Sequence, residues 1–294
     1  MELITTHDQN KAMWTVISGG RTLLEYVYGE EDDPNPSFRI ARTAAGHDIA
    51  LYRPWDHPWH TGLFFSWKYL NGLNFWESMY HGKRNVAVTR AFTEETSGRK
   101  GFKQHIDYVT HAGDILLHEE RRVAIESLNH NGYVIHWEGD FSTEGDKVIL
   151  DRTEVGIETP WGGYAGLSCR LPRTFLGPVI TTDQGETTAE EAHNRAFSWC
   201  DYTGRIDGFV ERPYAGVCIM SHPLNLRHPS PMLTYDYKDM QFLQAAFLQE
   251  APLVLNAREL LRLRYALYVH DGKLDPQYLA NLYSTLFIRD MTKD

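Results

Sequence analysis

Residues 52–77, YRPWDHPWHTGLFFSWKYLNGLNFWE, crowd together side chains that bind, ligate or move protons. His57 and His60 stand three apart, with Arg53 and Asp56 just before them and Asn74 and Glu77 shortly after. One chemistry open to this set is metal binding. The two imidazoles would share a single divalent ion, with a carboxylate such as Glu77 or Asp56 completing the ligands. Another is proton transfer, in which one imidazole acts as a general base and the other donates a hydrogen bond to a carbonyl or hydroxyl. A structural reading competes with both: prolines and tryptophans build a packed corner, and the histidines satisfy backbone groups. Asn74 and Glu77 suit the vicinal hydroxyls of a sugar, and Trp59 and Trp76 offer flat faces to its C–H groups. A core position is the commoner fate of a single tryptophan such as Trp76.

Other stretches add candidates. SHPLNLRHPSP, residues 221–231, is a stiff proline-rich loop in which His222 and Arg227 are placed to contact a polyhydroxylated or anionic ligand. An ordinary surface loop explains it equally well. In DILLHEERR, Glu120 is a second proton carrier and Arg122 its neighbour, although such charge runs are usually a solvated strand face. Arg170, in GLSCR, sits on a strand beside a glycine that permits close approach; it is a substrate-binding candidate with structural pairing as the default. His81, in MYHGK, is a third imidazole close in sequence. There is no G-x-S-x-G, P-loop, H-E-x-x-H or G-x-G-x-x-G pattern.

These groups need a scaffold. Pro54 and Pro58 keep the histidine segment out of helix and central strand, and Gly62 releases it into the strand LFFSW. Elsewhere period-two alternation dominates. Tyr133, Ile135, Trp137 and Phe141 of YVIHWEGDF point one way, and His136, Glu138 and Asp140 the other. LLRLRYALYVH alternates in the same manner, and LLEYVY, DIALYR, VAVTRAF, HIDYVTH, KVILDRTEV, AFSWCDY, GVCIMS and FLQAAFLQE read as further strands. A dozen such segments without alternating helices indicate an all-β chain, a large antiparallel β-sandwich of one domain over residues 1–294. One helix closes it at about 275–292, with Asp275 as N-cap, Pro276 at the first position and an apolar stripe through Leu279, Leu282, Tyr283 and Leu286.

Bulk properties narrow the partners. A net charge of −10 with no basic run argues against nucleic acid. No apolar run approaches the roughly 18 residues of a membrane span, and the first residues carry no secretion signal. Three widely spaced cysteines imply no disulfide framework. A cytoplasmic protein is the simplest expectation, and exposed sheet edges allow a homodimer.

Taken together, RPWDHPWHTGLFFSW…NGLNFWE, SHPLNLRHPSP and LRLRYALYVHDGKLD resemble the PmoA-like family of soluble bacterial proteins, also called domain of unknown function 6807 and labelled methane oxygenase PmoA. The resemblance implies a sandwich like that of galactose mutarotase, which binds a pyranose in a cleft on one sheet and uses histidine and carboxylate as acid and base. It implies Arg53, Asp56, His57, His60, Asn74 and Glu77 as the site. The leading expectation is an enzyme that moves protons on a sugar or on an oxidised, 3-keto glycoside, by elimination, hydrolysis or epimerisation, with His57, His60, Glu77 and Glu120 catalytic and His57, His60 and Glu77 as ligands if a metal assists. The alternatives are a carbohydrate-binding accessory protein without chemistry of its own, and a metal-dependent oxygenase as the label says.

Overall fold

Alternation gives each strand an inner and an outer side. In the strand Gly132–Ser142, Tyr133, Ile135, Trp137 and Phe141 are buried while His136, Glu138 and Asp140 are partly exposed. The computed structural model describes residues 1–30, 33–77, 84–128 and 132–288, so His81 lies outside the described residues. Among these, such strands assemble into two antiparallel sheets of nine and one of four. The first sheet runs, in spatial order, Ile4–Asp8, Met13–Ser18, Arg21–Val27, Ser37–Ala41, Leu63–Ser66, Gly166–Leu171, Met240–Ala245, Ser230–Tyr237 and Arg195–Phe197. The second runs Gly185–Thr187, Phe175–Thr182, Trp199–Ile206, Tyr214–Ser221, Leu261–Asp271, Gly132–Ser142, Ile115–Leu128, Lys100–Val109 and Val86–Glu95. The third holds Leu253–Asn256, Lys147–Asp151, Tyr69–Leu70 and Leu73–Asn74. This is the all-β sandwich that the periodicity indicates.

The facing sides of the two large sheets share a core. Phe65 of the first stacks on Trp137 of the second with centroids 4.8 Å apart, and Tyr26 meets Phe102 at 4.5 Å. Several segments differ from the sequence reading, among them FLQAAFLQE, which leaves its strand after Ala245. DIALYR, residues 48–53, forms only isolated bridges, Arg42 with Asp48 and Tyr52 with Thr61, because its backbone bonds go to separate elements: Ile49 N donates to Ala41 O and Leu51 N to Arg170 O. The run MLTYDY, by contrast, lies in a strand, Ser230–Tyr237, that becomes important below.

Near the C-terminus Asp275 caps the helix Pro276–Tyr283, its carboxylate accepting from Gln277 N at 2.7 Å. The chain widens into a π-turn at Ser284–Ile288; the expected extension to 292 falls outside the described residues beyond 288. Leu279, Leu282, Tyr283 and Phe287 pack on Val134, Trp199, Cys218, Met220, Ala266 and Tyr268, which point outward from the second sheet. Asp275→Ala is therefore expected to cost about 1 kcal/mol, within the ~0.5–2 kcal/mol of a lost N-cap, read as a lower urea midpoint, while Asp275→Asn retains most of it. No helix of the described residues is long and apolar enough to cross a membrane.

Candidate functional site

Strand alternation also builds the floor of a cleft. Leu243 and Ala245 enter the core, so Phe242 points the other way and joins Phe64, Leu233, Tyr235 and Trp76 in a separate apolar cluster on the outer face of the first sheet. Over it lies a cleft of about 550 Å³, within the ~300–1,000 Å³ of small-molecule sites. His57, Trp59, His60, Trp76 and Glu77 line it, so the dense segment does converge on one cavity.

The histidine turn is held by its own backbone. His57 N donates to Pro54 O at 3.2 Å, His60 N to His57 O at 2.9 Å, and Arg53 N to His60 O at 2.8 Å. Gly62 ends it with φ +91°, and a Cβ there would lie 2.5 Å from Phe38 O. Only glycine meets both conditions without strain.

Within this turn His57 Nδ1 lies 2.8 Å from Asp56 Oδ2. Arg170 Nη2 donates to the same oxygen at 2.8 Å, and Arg173 Nη2 donates to Oδ1. Burial pushes the Asp56 carboxyl up, but hydrogen bonds from His57 and Arg170 and the Arg170 charge outweigh it and bring the carboxyl down to about 2. An ionised carboxylate only accepts, so Nδ1 carries the hydrogen, and whenever the ring is neutral its lone pair is at Nε2. Both arginines also donate to Asp239 O, at 2.6 and 3.1 Å, fastening the turn to the hairpin between Ser230–Tyr237 and Met240–Ala245.

His60 has a different environment. Its ring stacks on His57 at 4.8 Å and on Phe242 at 4.9 Å, each at 22°. Burial, reinforced by the His57 and Arg170 charges, holds it well below the usual histidine range, and Nδ1 is buried without a hydrogen-bond partner. Burial likewise lowers His222 to about 4. Below the ordinary value of ~6.5 the unfolded chain takes up protons that these folded rings refuse. Stability is therefore expected to fall as pH drops from 6.5, by up to ~1.4 kcal/mol per pH unit for each such ring. Denaturant unfolding at pH 7.5 and 5.5 reads this, and His60→Phe is expected to flatten the slope by one proton; an unchanged slope would contradict it.

Glu77 sits at the cleft in an ion pair with buried Lys68, and Asn74 Nδ2 donates to Glu77 Oε2 at 2.6 Å. Asn74 Oδ1 accepts from Trp76 N and Glu77 N, so Asn74 positions its neighbours and does not line the cavity. Trp76 contacts His60 edge-on and lies 5.1 Å from Tyr164.

Several expected site residues lie elsewhere. Glu120 is on the second sheet, pairing with Lys103 and Arg122 on a solvent-facing side away from the cleft. Arg53 is exposed, with φ +49° and its guanidinium over the Tyr52 ring. Arg170 is fully buried and grips Asp56 instead of lining the cavity. His222 packs against Phe287, its Nδ1 accepting from Leu224 N. Arg227 donates to the carbonyls of Phe247, Ala251 and Pro252 and fastens a loop. The ligand set His57, His60 and Glu77 is not assembled: Glu77 Oε2 is engaged by Lys68 and Asn74, and the buried His60 ring stacks on His57 and Phe242. Among the described residues no group of three His, Cys, Asp or Glu side chains is placed to hold a metal ion.

The structure adds residues that the motifs did not single out. Trp161 and Tyr164, from PWGGY, stack at 6.0 Å on the cleft wall. Tyr235 and Tyr237 come from the unread alternation in MLTYDY. His193 follows the short helix Ala189–Ala192, whose capping box, Thr188 with Glu191, was a legible signal for that helix. Its Nδ1 lies 3.1 Å from Thr234 O, its ring 4.6 Å from Tyr235, and burial lowers its pKa. Arg173 had no signal, since only the folded turn brings Asp56 to it.

No curated protein shows significant similarity to the sequence. Solved structures similar to it include a polysaccharide lyase, 11% identical over 92% of this chain and 33% of that one, with a TM-score of 0.29. The chain thus spans about a third of that protein's length, and a likeness so slight carries no argument. The family of unknown function DUF6807 matches residues 14–284, nearly the whole sequence, and the chain belongs to that family.

Proposed function

We propose that the cleft binds the pyranose ring of a sugar or of an oxidised, 3-keto glycoside, and that His57 moves a proton on it. One observation carries this reading: an imidazole locked at Nδ1 by an ionised carboxylate borders a cleft walled by aromatic rings. Aromatic faces suit the C–H faces of a sugar, and Glu77, with its donors beside it, suits the hydroxyls. The position of the cleft on the face of one sheet supports the implied likeness to galactose-mutarotase-type sandwiches.

In a 3-keto glycoside the ketone acidifies the C–H at C2. His57 Nε2 takes that proton, and the C–H electron pair forms the enolate. The enolate pair then forms the C1=C2 bond as the C1–O bond breaks, its electron pair going to the departing oxygen, which takes the proton from His57, leaving an unsaturated 3-keto sugar. Return of the proton to the other face of C2, without expulsion, gives the epimer. His60, held neutral, contributes a hydrogen bond and not a charge, which suits a developing enolate oxygen. Each of these steps falls to a side chain of the cleft itself. Exhaustive chelation is accordingly expected to leave turnover unchanged; loss restored by a divalent ion would contradict this.

The test is incubation of the protein with methyl and phenyl 3-keto-glucosides and -galactosides in D2O, followed by NMR. Deuterium at C2 or release of the alcohol is expected. Absence of both, with free aldoses and ordinary glycosides also unchanged, overturns the proposal. Sugar binding that survives both His57→Ala and His60→Ala, with no turnover by the unaltered protein, would favour the accessory-protein alternative.

A further inference from the structure

Two aromatic rings that the proton transfer leaves unused border the clamp that holds His57. Trp55 is 76% exposed and Tyr237 is 62% exposed. Neither is loose. The Arg173 guanidinium lies 5.7 Å from the Trp55 ring centroid, and that same group bonds Asp56 and Asp239 O. Asp239 belongs to the tight turn in which Tyr237 pairs with Met240, and both of those residues line the cleft. One guanidinium therefore holds both Trp55, the neighbour of Asp56, and the hairpin that carries Tyr237. Tyr237 in turn lies 5.5 Å from Tyr235 on the cleft floor, so the aromatic surface continues outward from the cavity.

An exposed indole pinned on one side by a cation has lost conformational freedom before any ligand arrives, and so binds a flat ring at lower entropic cost. Its position also suits the reaction. The ring that loses its proton must lie inside at His57, so the group expelled from C1 has the open rim to occupy.

We propose that Trp55 and Tyr237 form an outer subsite for a second ring, making the substrate a glycoside whose leaving group is itself cyclic, a sugar or a phenol, and not a free monosaccharide. The inference rests on the sugar reading of the cleft.

Calorimetry with methyl and phenyl β-glucosides and β-galactosides, and with their 3-keto forms, tests it. The phenyl member of a pair is expected to bind about three- to tenfold more tightly than the methyl member. Trp55→Ala is expected to erase that difference while leaving methyl glycoside affinity within twofold, and Trp55→Phe to keep most of it. Trp55 is so exposed that unchanged thermal unfolding should accompany both variants. Equal affinities in the wild type, or a Trp55→Ala variant that weakens both ligands alike or neither, overturns the outer subsite alone. Failure of every glycoside to bind overturns the subsite together with the sugar reading.

Discussion

His57→Ala is expected to lower turnover of a 3-keto glycoside about 10²–10⁴-fold, the usual contribution of a positioned general base, while sugar affinity changes little. The substitution is informative because His57 is partly exposed, with 34% of its side chain open, so its loss leaves no cavity in the core. Asp56 would be a poorer probe. Removing it strands the fully buried Arg170, whose Nη2 it accepts from and whose Nε and Nη1 already lack partners. An unpartnered buried charge costs several kcal/mol, so loss of activity in Asp56→Ala would be confused with loss of fold. Steady-state kinetics and calorimetry on His57→Ala separate the outcomes. Lower kcat with unchanged binding supports the base; unchanged kcat removes His57 from the chemistry.

Arg121→Ala is expected to destabilise the protein by about 3–5 kcal/mol, the cost of breaking a buried pair by removing one partner. Arg121 and Glu119 are alternate residues of the strand Ile115–Leu128, and both point into the core. The guanidinium donates through Nε and Nη2 to the two Glu119 oxygens at 2.6 and 2.9 Å, and through Nη1 to Tyr26 Oη at 3.0 Å. Tyr108 also donates to Glu119, and Tyr26 to Gln104 Oε1. Burial pushes the Tyr26 hydroxyl up to about 12, so it stays neutral within the network. Truncating the arginine leaves a carboxylate in the core with only a tyrosine to bond. Since whole domains are stable by only ~5–15 kcal/mol, the variant loses a large share of its margin. The double variant Glu119→Leu with Arg121→Met removes both charges and is expected to unfold at higher denaturant than Arg121→Ala. If the single substitution leaves the urea midpoint unchanged, the network is not structural.

The same strand shows how far sequence reading reached. HEERR reads as one charged run and suggests a solvated face, but in a strand a run is divided by the pleat. Glu120 and Arg122 go outward to ion pairs, and Glu119 and Arg121 go inward. Burial of the second pair depends on Tyr26, Gln104 and Tyr108, which come from other strands. LLRLRYALYVH errs in the opposite sense. Its alternation suggests one wet face, yet Ala266, Tyr268 and His270 are as buried as Leu263 and Leu267, because the terminal helix lies over Ala266 and Tyr268.

Local chemistry thus determined the class and the corners of this protein: strands from period-two alternation, the constrained histidine turn from Pro54, Pro58 and Gly62, and the helix start from Asp275. It also placed His57, His60, Trp76 and Glu77 near one another, since they lie within a short segment. Tertiary structure alone decided what those groups became. Arg170 and Arg173 reach Asp56 from 114 and 117 residues away, converting a histidine pair that resembled metal ligands into a clamped His57 beside a buried, neutral His60. Periodicity states which face of a strand a residue occupies. Strand order and long-range register decide what waits across from it.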